Sequence, residues 1–166
     1  IGSRVAKRLN GWECELVYHD VVDHDAEYVA ATGAKRVELD ELLSTSDIVT
    51  LHVPQDRVTT HMISDRELAM MKPTAILINT CRGPVVDENA LIRGLEAKEI
   101  FGAGLDVTEI EPIEADNPLP TMANVVLTPH LATRALESEL NGAQFTMENA
   151  GRMVRGEAPD WIVKPV

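Results

Sequence analysis

The sequence is poor in cysteine, in basic residues and in long apolar runs, and each shortage excludes a class of protein. Its 166 residues include only two cysteines, Cys14 and Cys81, too few for a disulfide framework or a four-ligand zinc site and typical of a reducing cytoplasm. No apolar run approaches the ~18 residues that span a bilayer. Fifteen basic residues, of which five are lysines, stand against 27 acidic ones, a formal net charge of -12. We therefore expect no membrane partner and no nucleic-acid partner.

What the sequence does contain is typical of one ordinary globular domain. Apolar residues make up 45% and charged residues 25% of the chain, which excludes collagen-like and disordered classes. The chain opens with Ile1-Gly2-Ser3-Arg4 and runs directly into a helical pattern. A helix with no strand ahead of it indicates that the chain enters a strand–helix unit partway, and we expect the first strand of the sheet to be missing.

Short apolar and β-branched runs alternate with helical patterns along the chain. Strands are predicted at 14–19, 34–37, 47–53, 75–79, 100–107 and 125–128. Helices are predicted at 3–9, 25–31, 40–43, 64–71, 87–98 and 133–154, with Asp40, Ser64 and Asp87 as N-caps. This alternation predicts an α/β fold with a doubly wound, mostly parallel sheet of the Rossmann type. We expect the third strand to be buried on both faces and the apolar stripe of the last helix to pack in the core.

Three polar residues, Arg82, Glu111 and His130, closely follow the fourth, fifth and sixth predicted strands. Because the carboxyl ends of parallel strands lie along one edge, where ligands bind, we expect these side chains at one rim. Arg82 can grip a carboxylate with paired donors, and His130 can exchange a proton near neutral pH. A carboxylate at Glu111 would favour the imidazolium and fix its tautomer. The set predicts chemistry on a small carboxylic acid, without a metal.

Each of these residues also has a purely structural interpretation. Arg82 could form a surface salt bridge, and His130 could cap the strand before it. The structural alternative is strongest for Glu111, because Glu109 and Glu114 lie close by in the sequence. Structural or solvent-facing roles are expected for His19, His24, His52 and His61.

A cofactor signal lies at the start of the chain. Ile1-Gly2 fits the end of a Gly-x-Gly-x-x-Gly loop that opens a helix, and Asp20 ends the next predicted strand. The separation of Gly2 and Asp20 is close to the ~20 residues typical of the acid that binds an adenosine ribose. Such an acid accepts hydrogen bonds from a 2′-hydroxyl and repels a 2′-phosphate, and Val21-Val22 offers no compensating arginine. The pattern predicts NAD rather than NADP.

Ordered motifs at consistent separations carry a family resemblance from Ile1 to about Gly156. They are Leu51-His52-Val53-Pro54, Asn79-Thr80-Cys81-Arg82-Gly83-Pro84-Val85-Val86-Asp87, Gly104-Leu105-Asp106-Val107 with Glu111-Pro112, Asn117-Pro118-Leu119, and Leu127-Thr128-Pro129-His130. Together they resemble the nucleotide-binding domain of the D-isomer-specific 2-hydroxyacid dehydrogenases. One segment departs from the family pattern, because Leu131-Ala132-Thr133-Arg134 brings a bulky cation where small residues are usual.

The resemblance implies an NAD-dependent oxidoreductase that interconverts D-2-hydroxy acids and 2-oxo acids by hydride transfer. It implies that Arg82, Glu111 and His130 are the catalytic trio, with Glu111 chosen over Glu109 because it precedes a proline. The implied cofactor-binding residues are Ile1, Gly2, Asp20, Val53, Thr80, Cys81, Arg82, Asp106, His130 and Thr133.

The resemblance also implies an organisation for the whole protein. Residues 1–156 would be the NAD-binding domain, and residues 157–166 a tail that returns toward a substrate domain. The expected partners are a small 2-hydroxy or 2-oxo acid and a second copy of the chain, in the cytoplasm. Two alternatives remain open: an NAD(H)-sensing protein like the related corepressors, and a phosphite-type dehydrogenase of the same family.

Overall fold

Residues 1–162, the part of the chain that the computed structural model describes, contain six short strands and six α-helices. The strands are β1 Val17–Tyr18, β2 Lys35–Arg36, β3 Ile48–Leu51, β4 Ile76–Asn79, β5 Gly102–Leu105 and β6 Val125–Leu127. The helices are α1 Gly2–Leu9, α2 Ala26–Thr32, α3 Leu39–Thr45, α4 Asp65–Met70, α5 Glu88–Glu96 and α6 Leu136–Val154.

The chain forms two compact units, one from Ile1 to His130 and one that begins at Leu131. The predicted domain end at residue 156 stays a prediction. Of the predicted tail, 157–166, the last four residues lie outside the described part of the chain.

All six strands lie in the first unit and form two parallel sheets. β1 pairs with β2, and the other four strands lie side by side in the order β3-β4-β5-β6. Their register places Leu51, Asn79, Leu105 and Leu127 in one row across the larger sheet. An α-helix separates each pair of successive strands up to β5, and a short 3₁₀ helix, Leu119–Thr121, separates β5 from β6. The predicted parallel α/β fold of the Rossmann type is therefore confirmed. The loops after β4, β5 and β6 therefore leave the sheet at one edge.

The core lies between the larger sheet and helices α3, α4 and α5. Its buried members include Val49, Leu51 and Leu77 from the strands and Leu43, Leu68, Leu91 and Leu95 from the helices. Small residues in β5 allow its neighbours to approach closely. A Cβ at Gly102 would lie 2.6 Å from the carbonyl oxygen of Asn124, so only glycine fits there.

Side-chain caps determine where two of these helices begin. Ser64 starts α4 in a capping box with Glu67, and Asp87 starts α5 by accepting the backbone N–H of Ala90 at 3.0 Å. Both agree with the sequence prediction. Helix α3 differs, because it begins one residue before Asp40. The carboxylate of Asp40 is therefore not the N-cap. It lies in the first turn, where its negative charge still interacts favourably with the helix dipole.

The prediction that the third strand is buried on both faces is wrong. Val49 and Leu51 are buried, whereas Ile48 is 59% exposed and Thr50 is exposed as well. Successive side chains of a strand point to opposite faces. Side chains of α3, α4 and α5 pack with Val49 and Leu51 and leave the alternate residues open.

The apolar stripe of the last helix is exposed. α6 contains no buried residue, and Leu136, Leu140 and Met147 are each more than half exposed. α6 is the one helix among the described residues of the second unit, and a single helix cannot bury its own stripe. The prediction of core packing is therefore wrong for this stripe.

Candidate active site at the carboxyl edge of the sheet

The loops after β4, β5 and β6 carry Arg82, Glu111 and His130 to the same edge of the larger sheet, as the strand order predicted. Backbone hydrogen bonds tie these loops together. The N–H of Asp106 donates to the carbonyl oxygen of Asn79 at 2.9 Å, and the N–H of His130 donates to that of Asp106 at 2.8 Å. The pairing of the strands thus continues into the loops.

Glu111 and His130 form a hydrogen-bonded pair. Nδ1 of His130 lies 2.7 Å from Oε2 of Glu111, while Oε1 of Glu111 accepts the N–H of Thr108 at 3.2 Å. The two side chains are 44% and 39% exposed. Because the carboxylate faces Nδ1, Nε2 is the ring nitrogen that can exchange a proton with a bound molecule. Of the two candidate carboxylates, Glu111 contacts His130 and Glu109 contacts His61.

Arg82 lies on a loop that a buried asparagine organises. Nδ2 of Asn79 donates to the carbonyl oxygen of Arg82 at 2.9 Å, and its Oδ1 accepts the N–H of Cys81 at 3.0 Å. The exposed guanidinium of Arg82 donates through Nη1 to the carbonyl oxygen of Cys81 at 2.6 Å. The guanidinium therefore hydrogen-bonds to its own loop and not to the Glu111–His130 pair. Asn79 was not predicted as a functional residue, although a polar residue that ends an apolar strand is a usable signal.

Other predicted cofactor residues follow successive strands along the same edge. Asp106, after β5, is 4% exposed, and its Oδ1 accepts the hydroxyl of Thr128 at 2.5 Å. Thr80 and Cys81 follow β4 and are half-buried. Val53 follows β3 and packs against the core.

Asp20 follows β1 with both carboxylate oxygens engaged. Oδ1 accepts the N–H of Val22 at 3.0 Å, and Oδ2 lies 2.9 Å from Nε2 of His24. The bond from Val22 lowers the pKa of Asp20, which keeps the group a charged acceptor. Arg36 of β2 donates through Nη2 to the carbonyl oxygen of Asp20 at 2.7 Å and also pairs with Asp23. Sequence adjacency did not reveal this arginine, because the pairing of β1 with β2 brings it there.

Helix α1 starts close to the end of β3. Ile1 is its N-cap, and a Cβ at Gly2 would lie 3.2 Å from Cδ2 of His52. No acidic residue lies in the first turn, so its N–H groups and the helix dipole suit a phosphate. Together with the acceptor oxygens of Asp20, this donor set fits a dinucleotide. The remaining predicted residue, Thr133, lies exposed in the second unit.

Three further observations concern other kinds of site. Within residues 1–162, no three histidine, cysteine, aspartate or glutamate side chains are placed to hold a metal ion. None of the described helices is both long and apolar enough to cross a membrane. Cys14 and Cys81 are free thiols.

Comparison with known families identifies the chain. Residues 1–132 match the family described as D-isomer specific 2-hydroxyacid dehydrogenase, NAD binding domain. The chain belongs to this family. The predicted family and the predicted cofactor, NAD, are therefore confirmed.

The similar proteins are reductases and dehydrogenases of about twice this length. The chain is 44% identical over 163 residues to a glyoxylate reductase of Korarchaeum cryptofilum, covering 98% of this chain and 49% of that protein. It is 40% identical to glyoxylate/hydroxypyruvate reductase B of Shigella boydii, covering 99% and 51%. The holo form of D-mandelate dehydrogenase from Rhodotorula graminis superposes with a TM-score of 0.90 at 37% identity, covering 99% and 48%. D-lactate dehydrogenase with NAD+ from Lactobacillus jensenii superposes with a TM-score of 0.88 at 32% identity, and the match covers 99% of this chain and 53% of that protein.

Proposed function

We propose that the full-length protein is an NAD-dependent oxidoreductase that interconverts D-2-hydroxy acids and 2-oxo acids. The observation that carries this proposal is the Glu111–His130 pair at the sheet edge that Arg82 shares. The names of similar proteins, glyoxylate reductase and D-mandelate dehydrogenase, support this substrate class. Glyoxylate is therefore the first substrate to test.

His130 moves the proton in this proposal. When a 2-hydroxy acid is oxidised, the hydrogen on C2 leaves as hydride and the hydroxyl proton passes to Nε2 of the neutral ring. Reduction of a 2-oxo acid reverses both transfers and needs the imidazolium. Glu111, at Nδ1, stabilises that imidazolium and fixes the tautomer. NAD supplies the hydride acceptor when it is bound.

Arg82 orients the substrate. Its guanidinium has five N–H donors in a planar fork, and the carbonyl oxygen of Cys81 engages Nη1. The other donors can bind the substrate carboxylate in the paired geometry that this group favours.

The dinucleotide would be held by groups along the same edge. The first-turn N–H groups of α1 would bind its pyrophosphate, and Asp20 would accept hydrogen bonds from the adenosine ribose. Thr80 and Asp106, at the ends of β4 and β5, would contact the nicotinamide half.

Consumption of NADH with glyoxylate by the full-length protein tests the proposal. His130→Gln should lower both reaction directions about 10²-fold or more, because it removes the acid–base group. Binding of NADH, followed by its fluorescence, should weaken far less than turnover, because most of the predicted cofactor-binding residues are unaltered. His19→Gln is the matched control, since that ring bonds to the carbonyl oxygen of Val37 beside the smaller sheet.

Three results would redirect the assignment. Binding of NADH without turnover of any 2-oxo acid would favour the sensor alternative. Turnover of phosphite alone would favour the phosphite-type alternative. Absence of NADH binding would contradict the proposal as a whole.

The proposal extends to the compartment and the assembly of the protein. The free thiols of Cys14 and Cys81 support a place in the reducing cytoplasm. A homodimer is implied by the family resemblance alone and stays a prediction, which sedimentation velocity of the full-length protein would test.

A further inference from the structure

A second histidine–carboxylate pair lies beside the proposed catalytic pair. Nε2 of His61 lies 2.6 Å from Oε1 of Glu109, two residues before Glu111 in the same loop. The imidazole is 44% exposed and the carboxylate 28% exposed. Through its ring, His61 therefore holds the loop that carries Glu111.

The backbone of His61 holds the neighbouring loop. Its N–H donates to the carbonyl oxygen of Pro84 at 2.8 Å, shortly after Arg82. A parallel bridge between Ile63 and Val86 continues this contact. His61 itself lies in the left-handed region, at a φ of 53°. One residue thus bonds to the Arg82 loop with its backbone and to the Glu111 loop with its ring.

Glu109 is fixed in turn by the start of α5. Its Oε2 accepts the N–H of Glu88 at 3.2 Å, and its own N–H donates to Oε2 of Glu88 at 2.8 Å. Nδ2 of Asn117 donates to Oε1 of Glu88 at 2.6 Å. Two carboxylates therefore lie next to each other, and the His61 ring supplies a positive charge beside them when it is protonated.

The two loops also pack directly on each other. A Cβ at Gly83, next to Arg82, would lie 1.8 Å from the carbonyl oxygen of Thr108. Thr108 in turn donates its N–H to Glu111. Movement of one loop therefore displaces the other, and the geometry of Arg82 and Glu111 depends on how the loops are held.

We propose that His61 is a positioning residue that holds the Arg82 loop and the Glu111 loop together. We call its two contacts, the backbone bond to Pro84 and the ring bond to Glu109, the clasp. His61 acts through these loops and has no role in contacting substrate. This inference rests on the proposed function. Without the clasp, the Glu111 loop can shift against Arg82, while the groups at α1 and Asp20 that would hold the dinucleotide stay in place.

The clasp depends on pH. The charged groups that act on the ring are Glu109, on the loop after β5, and Asp87, the N-cap of α5, while Glu88 bonds to Glu109. The hydrogen bond with Glu109 raises the pKa of His61. Because folding raises the pKa of His61, the charge-assisted hydrogen bond between the imidazolium and Glu109 is fully present at pH values at and below the ordinary pKa of histidine. This bond is lost as the pH rises through the raised pKa.

His61→Asn in the full-length protein tests the inference. Asparagine tolerates the left-handed backbone but is too short to reproduce the contact with Glu109. We expect kcat for glyoxylate reduction to fall roughly 10- to 100-fold at about pH 6, with a much smaller change in the Kd for NADH, because the groups at α1 and Asp20 stay in place. The ratio of wild-type to variant kcat should shrink at higher pH, because the wild type then loses the charged pair as well. Glu109→Gln should give a similar loss, and the double variant should lose no more than either single one.

Lys72→Gln is the matched control, because it breaks a half-exposed ion pair, 2.9 Å from Asp47, at the opposite end of β3. Amide hydrogen exchange of residues 106–112 gives a readout that needs no turnover and should be faster in His61→Asn than in the control. A kcat ratio that does not change with pH, or a defect no larger than that of Lys72→Gln, would overturn the inference. If the wild-type protein neither binds NADH nor turns over glyoxylate, the proposed function is wrong. Amide exchange of residues 106–112 in His61→Asn and in the control would then test the positioning role of His61 without turnover.

Discussion

At the residue scale, two histidines near one loop use opposite ring nitrogens. His130 faces Glu111 through Nδ1, so its Nε2 is available for proton exchange. His61 faces Glu109 through Nε2, so its corresponding nitrogen is already engaged. The same residue type with the same kind of partner therefore suits acid–base chemistry in one place and loop positioning in the other.

Replacing Glu111 with glutamine should shift the pH dependence of both reaction directions. Glutamine keeps the size of the side chain but removes the charge 2.7 Å from Nδ1 of His130. Reduction, which needs the imidazolium, should lose activity at lower pH than in the wild type, whereas oxidation, which needs the neutral ring, should extend to lower pH. pH–rate profiles of the full-length protein measure both effects. Profiles that superimpose on those of the wild type would show that Glu111 does not act on His130.

Asp20 should make the protein prefer NAD to NADP. Its charged carboxylate would repel a 2′-phosphate, although Arg36 and His24 lie close enough to soften that repulsion. We expect Asp20→Asn to lower the ratio of kcat/KM with NAD to kcat/KM with NADP about tenfold, because the charge that repels the 2′-phosphate is lost. Asp47→Asn makes the same charge change at the amino end of β3 and should leave the ratio unchanged. A wild type that uses both cofactors equally would contradict this assignment.

At the element scale, the features that the sequence predicted are those with local signals. The caps at Ser64 and Asp87 and the order of strands and helices depend on neighbouring residues, and all are present. Burial depends on which other layer covers an element, and the predictions for Ile48 of β3 and for α6 were therefore wrong. The pair of His61 with Glu109 joins residues 48 positions apart, a distance over which no spacing rule applies.

Removing the Asp87 cap should destabilise the first unit in a pH-dependent way. Asp87 accepts the N–H of Ala90 and the hydroxyl of Ser64, each at 3.0 Å. Asp87→Ala should therefore lower the free energy of unfolding in urea by about 1 kcal/mol at neutral pH. The amide of Ala90 lowers the pKa of Asp87, so the stabilisation is present above the ordinary range of aspartate and is lost as the pH falls through the lowered value. Asp87→Ser keeps a capping oxygen without the charge, and its stability relative to Asp87→Ala should not vary with pH in the acid range.

At the scale of the whole molecule, the excess of negative charge opposes the compact state. The chain carries a formal net charge of -12. Ion pairs such as Arg93–Asp65 at 2.8 Å and Arg66–Asp40 at 3.1 Å lie on the surface with both partners more than half exposed, and pairs of this kind contribute little stability. Repulsion among the remaining carboxylates acts over longer distances.

Moderate salt should therefore stabilise the chain. Raising NaCl from about 10 mM to about 150 mM shortens the screening length from about 30 Å to about 8 Å. Repulsion between distant carboxylates then weakens more than the attraction within pairs in direct contact, so the midpoint of thermal unfolding should rise. Sucrose at equal osmolality controls for effects unrelated to charge. A midpoint that falls with NaCl would show that the surface ion pairs outweigh the repulsion, and the charge excess would then not limit stability.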